Sequence, residues 1–299
     1  MSKKRTRPDW LKIRLQVNDN YRDLMDIVKS NNLHTVCQEA RCPNMSECWG
    51  KGTATLMILG DTCTRSCGFC AIKTGRPPVY DRDEPKRVGI AVQKMGLNHV
   101  VITSVNRDEL PDQGSEVWAE TIREIRRLNP DTSVEVLIPD FKGVMQPLQN
   151  VIDAAPEILA HNIETVPRLY RRVRPQAKYD RSLWVLDESK KQGMVTKAGI
   201  MVGIGETREE VLELMKDLVK INLDIFTIGQ YLQPTKRHLP VERFVHPDEF
   251  AEYKELGEAF GIRHVESGPL VRSSYHAEEQ VEKMHGGGCS TPPIDFLNK

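Results

Sequence analysis

Between about residue 53 and residue 268 the chain alternates short apolar runs with longer stretches of helical periodicity. The apolar runs fall at 54–59, 99–104, 134–138, 158–163, 198–204 and 225–231. They are too short for helices, and nearly continuous apolar runs of this length read as strands buried on both faces of a parallel sheet. Amphipathic segments fit between most of them. Val117, Ile122, Ile125 and Leu128 lie roughly along one helical face. Thr207 and Glu210 form a capping box ahead of Val211, Leu214, Met215 and Leu218. Gly193 stops another helix after Lys191 and Gln192. Alternating β and α over this length predicts an α/β fold with right-handed crossovers. An open doubly wound sheet and a full or partial (β/α) barrel both satisfy the pattern, and periodicity does not separate them. In either, functional loops gather at the C-terminal ends of the strands.

The flanks differ from this middle zone. Residues 1–52 are polar and turn-rich, and 269–299 are rich in Gly and Pro without periodicity. Lys+Arg and Asp+Glu both number 42, so the formal net charge is zero. Such a balance argues against general nucleic-acid binding, which rests on neutralising phosphates. No apolar run approaches the roughly 18–20 residues of a membrane span. The basic start, residues 1–5, lacks the apolar stretch of a secretory signal. The seven cysteines are odd in number, and six of them sit in two tight triplets. A secreted disulfide framework is spaced differently, so a reducing, cytoplasmic setting is expected.

The first triplet is Cys63-Thr-Arg-Ser-Cys67-Gly-Phe-Cys70, directly after the first predicted strand. Three thiolates this close suit three irons of a [4Fe–4S] cube, leaving the fourth iron open to a ligand. A zinc knuckle or a purely structural cluster is the plain alternative, but zinc ordinarily takes four ligands in paired spacing. The second triplet is Cys37-Gln-Glu-Ala-Arg-Cys42-Pro-Asn-Met-Ser-Glu-Cys48. Alone it could be half a zinc site or loose core cysteines; beside the first it implies a second cluster, again one ligand short. Cys289, in the run His285-Gly-Gly-Gly-Cys289, reads as a stray thiol in a tail.

The first triplet resembles the cluster loop of the radical S-adenosylmethionine (SAM) superfamily. The second spacing resembles the lipoyl synthases within it. The resemblance runs over most of the chain, through the motifs beginning at Thr103, His161, Thr196, Gly229 and Ser267, the last containing Arg272-Ser-Ser-Tyr275. It implies a partial (β/α)6 barrel over 53–268. The N-terminal extension 1–52 carries cluster ligands, and the C-terminal tail 269–299 carries one more. It further implies two [4Fe–4S] clusters. One, on Cys63, Cys67 and Cys70, cleaves SAM; the other is held by Cys37, Cys42, Cys48 and the hydroxyl of Ser274. An oxygen ligand is harder and less durable on such a cluster than sulfur, which suits a cluster that gives up sulfide. Taken alone, the Ser273–Ser274 pair would read as a turn or helix cap.

The implied reaction is insertion of two sulfur atoms at C6 and C8 of a protein-bound octanoyl group, making the chain a sulfurtransferase. Those carbons carry no acidic hydrogen, so radical chemistry supplied by a cofactor is the route. The resemblance also implies partners. These are octanoylated lipoyl carrier domains (dehydrogenase E2 subunits and the glycine cleavage H protein), a flavodoxin or ferredoxin donor, and a cluster-repair protein. Phe69, Asn162, Glu164, Lys197 and Gly203 become expected SAM contacts. The sequence departs from the family at Lys197-Ala198-Gly199, where Lys-Ser-Gly is expected. By themselves, the glycines of 199–206 read as a strand-to-loop turn. The basic run Arg168, Arg171, Arg172, Arg174, Lys178 and Arg181 reads as a solvated helix face. Its alternatives are docking of an acidic carrier or an arginine on the SAM carboxylate. Competing readings are another sulfur-inserting radical SAM enzyme, such as a biotin synthase or an RNA methylthiotransferase, and a zinc-stabilised binding module.

Overall fold

The computed structural model describes residues 7–12, 19–31, 33–39, 42, 44–50, 53–78, 80–275 and 277. Among them eight strands form one sheet: β1 His34–Thr35, β2 Ala54–Ile58, β3 His99–Ser104, β4 Ser133–Leu137, β5 Ile158–Ala160, β6 Val195–Val202, β7 Ile225–Gln230 and β8 His264–Gly268. The helices, in chain order, are α1 Asp19–Ser30, α2 Val36–Glu39, α3 Met45–Gly50, α4 Glu84–Met95, α5 Ser115–Leu128, α6 Met145–Asp153, α7 Tyr170–Val173, α8 Tyr179–Lys191, α9 Arg208–Lys220 and α10 Pro247–Ala259. None of these is long and apolar enough to cross a membrane.

The strand order decides between the two architectures. β1 to β8 are hydrogen-bonded neighbours in sequential order, with no reversal. A doubly wound sheet requires a switch point where the order turns back. Sequential right-handed crossovers instead put every helix on one face and turn the other face inward, as in a barrel. β1 and β8 remain at opposite edges, so the barrel is partial. β2 to β8 pair parallel throughout; only β1 runs antiparallel, against β2.

All six predicted strands lie in this sheet, with shifted ends. β5 stops at Ala160 because the N–H groups of Ile163 and Glu164 both turn to the Gly199 carbonyl, and Glu164 takes a φ of 69°. β6 ends at Val202 because Gly203, at φ 90°, turns the chain. β8 was not predicted. Side chains alternate across the strands. Leu56, Ile102, Val136, Leu159, Ala198, Ile228 and similar residues form the helix-facing core. The inner face is mixed. Lys197 and Glu135 are fully buried there as an ion pair, with Nζ to Oε distances of 2.9 and 3.0 Å. Burial pushes the Glu135 carboxyl up, and the Lys197 charge overrules it, leaving it below its ordinary value.

The local signals hold. α9 carries the Thr207–Glu210 capping box and buries Val211, Leu214, Met215 and Leu218. α5 buries Val117, Ile122 and Ile125. α8 ends at Lys191, and Gly193 follows at φ 84°.

Candidate active site

β2 delivers the first triplet. Leu59 and Gly60 take φ values of 68° and 91°, turning the chain out at the strand's C-terminal end. The loop is then braced by segments that follow four other strands or helices. After β3, the Asn106 carbonyl accepts from Thr64 N–H and Oγ1, each at 3.1 Å. Arg65 is buried and donates to Asp108 at 2.7 and 2.9 Å, and to Asp140, after β4, at 2.6 Å. Burial pushes the Asp140 carboxyl up, but the Arg65 hydrogen bond and charge hold it down at about 2. After α7, Gln176 Nε2 donates to Ser66 Oγ at 2.9 Å. After β7, Leu239 N–H donates to the Gly68 carbonyl at 3.0 Å, and His238 Nε2 meets the Cys70 carbonyl at 2.8 Å. A Cβ on Gly68 would lie 2.9 Å from the Leu239 side chain, which would have to shift to admit it. Cys63 Sγ accepts from the N–H groups of Arg65 and Asn106 at 3.4 and 3.3 Å, which fixes where its sulfur sits.

The second triplet spans two short helices. Cys37 lies on α2 and Cys48 on α3, with Cys42 between them donating its N–H to the Cys37 carbonyl at 2.9 Å. A distant segment closes over it. Tyr275 N–H donates to the Arg272 carbonyl at 2.9 Å, making a turn with Ser273 and Ser274 at its corner. The approach to this turn crosses the end of β7, where a Cβ on Gly229 would stand 2.1 Å from the Val271 carbonyl oxygen.

Both triplets open onto one cavity of about 550 Å³, which all six thiols, Ser273 and Ser274 line. That size is in the range of ligand pockets. Among the described residues no three Cys, His, Asp or Glu side chains converge as a single metal ion would need. Donors spread around a void fit a multi-iron cube, whose ligands bind different irons, better than a zinc site. Burial pushes the thiols of Cys37, Cys42, Cys67 and Cys70 up, Cys67 to about 11 and Cys70 to about 12. Such thiols stay protonated at neutral pH unless a cation supports the thiolate, so cluster binding must release protons here. Four buried polar atoms of cavity-lining residues lack partners: Ser104 Oγ, Asn106 Oδ1, Asn162 Oδ1 and Arg174 Nε. One cationic donor among oxygen acceptors suits a ligand that carries both a carboxylate and an ammonium.

Of the expected SAM contacts, Phe69, Asn162 and Glu164 line the cavity. Lys197 and Gly203 are not among its lining residues. The Lys197 ammonium is held by Glu135 deeper in the barrel, and a Cβ on Gly203 would stand 2.4 Å from the Arg243 carbonyl. The N–H groups of Gly203, Ile204 and Gly205 all donate to the carboxylate of Glu206. Ala198 faces the helices, so the departure from the family's serine lies in the outer core. The basic run divides. Arg168 pairs with Glu210, Arg172 with Glu242 and Arg181 with Asp140. Arg174 turns inward to the cavity, donating to the Asn162 and Ile163 carbonyls at 2.6 and 3.2 Å. Arg65, Asn106 and Asp140 carry no motif of their own in the sequence, and the network they form here is visible only in the fold. Cys289 and His285 lie outside the described residues.

Comparison with known proteins agrees with this geometry. The family model described as the radical SAM superfamily matches residues 57–218. The N-terminal domain of lipoyl synthase of the radical SAM family matches residues 1–42. The chain is 59% identical to a lipoyl synthase of Rubrobacter xylanophilus, covering 94% of this chain and 88% of that protein. It is 54% identical to a mitochondrial lipoyl synthase of Nematostella vectensis, covering 92% and 95%. Among solved structures, Streptococcus suis SuiB bound to S-adenosylmethionine aligns with a TM-score of 0.56 at 12% identity, over 84% of this chain and 60% of that one. The hydrogenase maturase HydG aligns with a TM-score of 0.54 at 13% identity, over 87% and 74%. At such identities the structural likeness speaks to fold alone.

Proposed function

The chain belongs to the lipoyl synthase family of the radical SAM superfamily, and we propose that it inserts two sulfur atoms at C6 and C8 of an octanoyl group carried on a protein lysine. The observation that carries this reading is the single cavity shared by the six thiols and Ser274. In the proposal Cys63, Cys67 and Cys70 hold one [4Fe–4S] cluster, and Cys37, Cys42, Cys48 and Ser274 hold the other, which is consumed as the sulfur-donating substrate. When bound, the first cluster supplies the electron that splits SAM into methionine and a carbon radical able to take an unactivated hydrogen.

The protein's own part is position and exclusion. Asn162, Glu164 and Arg174 offer polar groups to SAM, and Phe69 lines the same wall. The braced loop 63–70 fixes where the radical would arise. Docking of the carrier over this cavity would keep water from competing for it, and alignment of this kind is worth ~10⁵–10⁸ M of effective concentration. The extension 1–52 and the tail 269–299 flank a barrel at 53–268 and bring the sulfur donor to its mouth. The partners in this reading are octanoylated carrier domains, a flavodoxin or ferredoxin donor and a protein that rebuilds the second cluster. Six clustered thiolates and oxygen-sensitive clusters require a reducing setting, and this reading places the chain in the cytoplasm.

The test is anaerobic incubation of the cluster-loaded protein with SAM, a reductant and an octanoylated lysine peptide, followed by mass measurement. A gain of two sulfur atoms is expected. Deoxyadenosine release with no sulfur gained would refute the assignment.

A further inference from the structure

The segment between Cys42 and Cys48 does more than space two thiols. Asn44 is buried, and its Nδ2 donates to the Leu270 carbonyl at 2.7 Å. Three residues later the Glu47 carboxylate accepts from Tyr275 Oη, 3.3 Å from each oxygen. The two contacts bracket the Arg272–Tyr275 turn, one just before it and one at its last residue. Within the bracket the turn is closed by its own Tyr275 N–H to Arg272 carbonyl bond. It is seated from below where Val271 crosses Gly229. Ser274 is at the corner, on the cavity, and has no regular secondary structure to hold it.

From this geometry we infer that Asn44 and Glu47 are positioning residues: they hold the Arg272–Tyr275 turn so that Ser274 Oγ faces the same void as the thiols of Cys37, Cys42 and Cys48. The inference rests on the proposed role of Ser274 as a cluster ligand. One loop therefore supplies a thiolate at each end and, from its middle, sets the oxygen ligand through contacts to Leu270 and Tyr275, 226 and 228 residues away. A turn held at only one end could swing its corner away. A hydroxyl bound to iron is a weak ligand without such preorganisation, whereas Cys37 and Cys48 have helices to fix them and Cys42 is tied to Cys37 through its N–H.

The experiment compares Asn44→Ala, Tyr275→Phe, Glu47→Gln and Ser274→Ala with the unchanged chain after anaerobic cluster reconstitution. Iron and sulfide are counted, paramagnetic resonance is recorded after mild oxidation, and SAM cleavage by the first site reports folding. The unchanged chain should hold about eight irons. Ser274→Ala should lose one iron from the second cluster and show a three-iron signature. Asn44→Ala and Tyr275→Phe should show the same signature, appearing roughly tenfold faster than in the unchanged chain, as expected for losing one buried hydrogen bond. Glu47→Gln keeps an acceptor and should hold its iron. Should Ser274→Ala keep all its iron, the ligand assignment itself fails. Should Ser274→Ala lose iron while Asn44→Ala and Tyr275→Phe both retain it at the unchanged rate, the positioning role alone is overturned. Asn44 and Tyr275 act at opposite ends of the turn, so a folding failure in one variant leaves the other to decide.

Discussion

The two cysteine loops meet at one cavity but are held in unlike ways. The 63–70 loop is locked to the barrel by segments from several parts of the sheet and by the buried Arg65–Asp108–Asp140 network. Removing one member of such a network leaves an uncompensated buried charge, typically a cost of about 3–5 kcal/mol. The 37–48 loop is closed by the Asn44 amide and the Tyr275 hydroxyl. The neutral Asn44 bond contributes only about 1 kcal/mol net, and the Tyr275 bond to the Glu47 carboxylate somewhat more, still below the network's cost. One site is thus built to stay shut while the other opens cheaply, as a cluster that must be replaced between turnovers would require.

The largest expected effects would break this comparison outright. Cys67→Ala should abolish SAM cleavage and with it all sulfur insertion, measured as deoxyadenosine and as product mass. Cys42→Ala should abolish the lipoyl product while deoxyadenosine formation survives at least in part. Lipoyl product from Cys42→Ala would show that the second triplet is not the sulfur source.

Smaller effects sharpen the contrast. Arg65→Met should destabilise the cluster-free protein by about 3 kcal/mol in denaturant melts, because Asp140 loses its main counter-charge. Asp140→Asn in the same chain should recover part of that loss. An Arg65→Met chain as stable as the original would mean that the network does not lock the loop.

The last prediction concerns His161, which lies beneath the cavity between the Ile138 carbonyl and Ser182. Burial, aided by the Arg174 charge, pushes its imidazole down from 6.5 to about 4. Between those values the unfolded chain binds a proton that the native one does not. Stability should therefore fall as pH drops through that window, by roughly 3 kcal/mol in all. His161→Gln should flatten the slope over this range.

The legible strands carry apolar helix-facing residues, or a continuous apolar run as at Ile158–Ala160, even where Glu135 or Lys197 stands on the inner face. β8, His-Val-Glu-Ser-Gly, does not: it offers only Val265 beside Ser267 on the helix-facing side, with His264, Glu266 and Gly268 inside. Periodicity describes each strand's surroundings but not its neighbours, so the sequential order that makes a barrel had to come from the structure. In the site, the cysteine spacings are local and could be read directly. Arg65, Asn106, Asp140 and Arg174 sit on four different segments, and only the topology brings them together. Arg174 belongs by charge density to a basic run whose plain reading is a solvated face; Arg171 and Arg172 are exposed, and one residue's inward turn leaves no mark on composition. Lys197 is expected to touch SAM only through the family resemblance. The partner that claims it, Glu135, is 62 residues away.

The contact between Asn44 and the Leu270 carbonyl joins parts of the chain made far apart in time. Most braces of the first loop, from Asn106 to Gln176, are synthesised well before the last residues of the barrel. The turn that completes the second site follows only at Tyr275. A ribosome-bound chain can thus finish one pocket while the other still lacks a wall; on the proposed ligand set, the second cluster would have a complete home only after nearly the whole polypeptide has emerged.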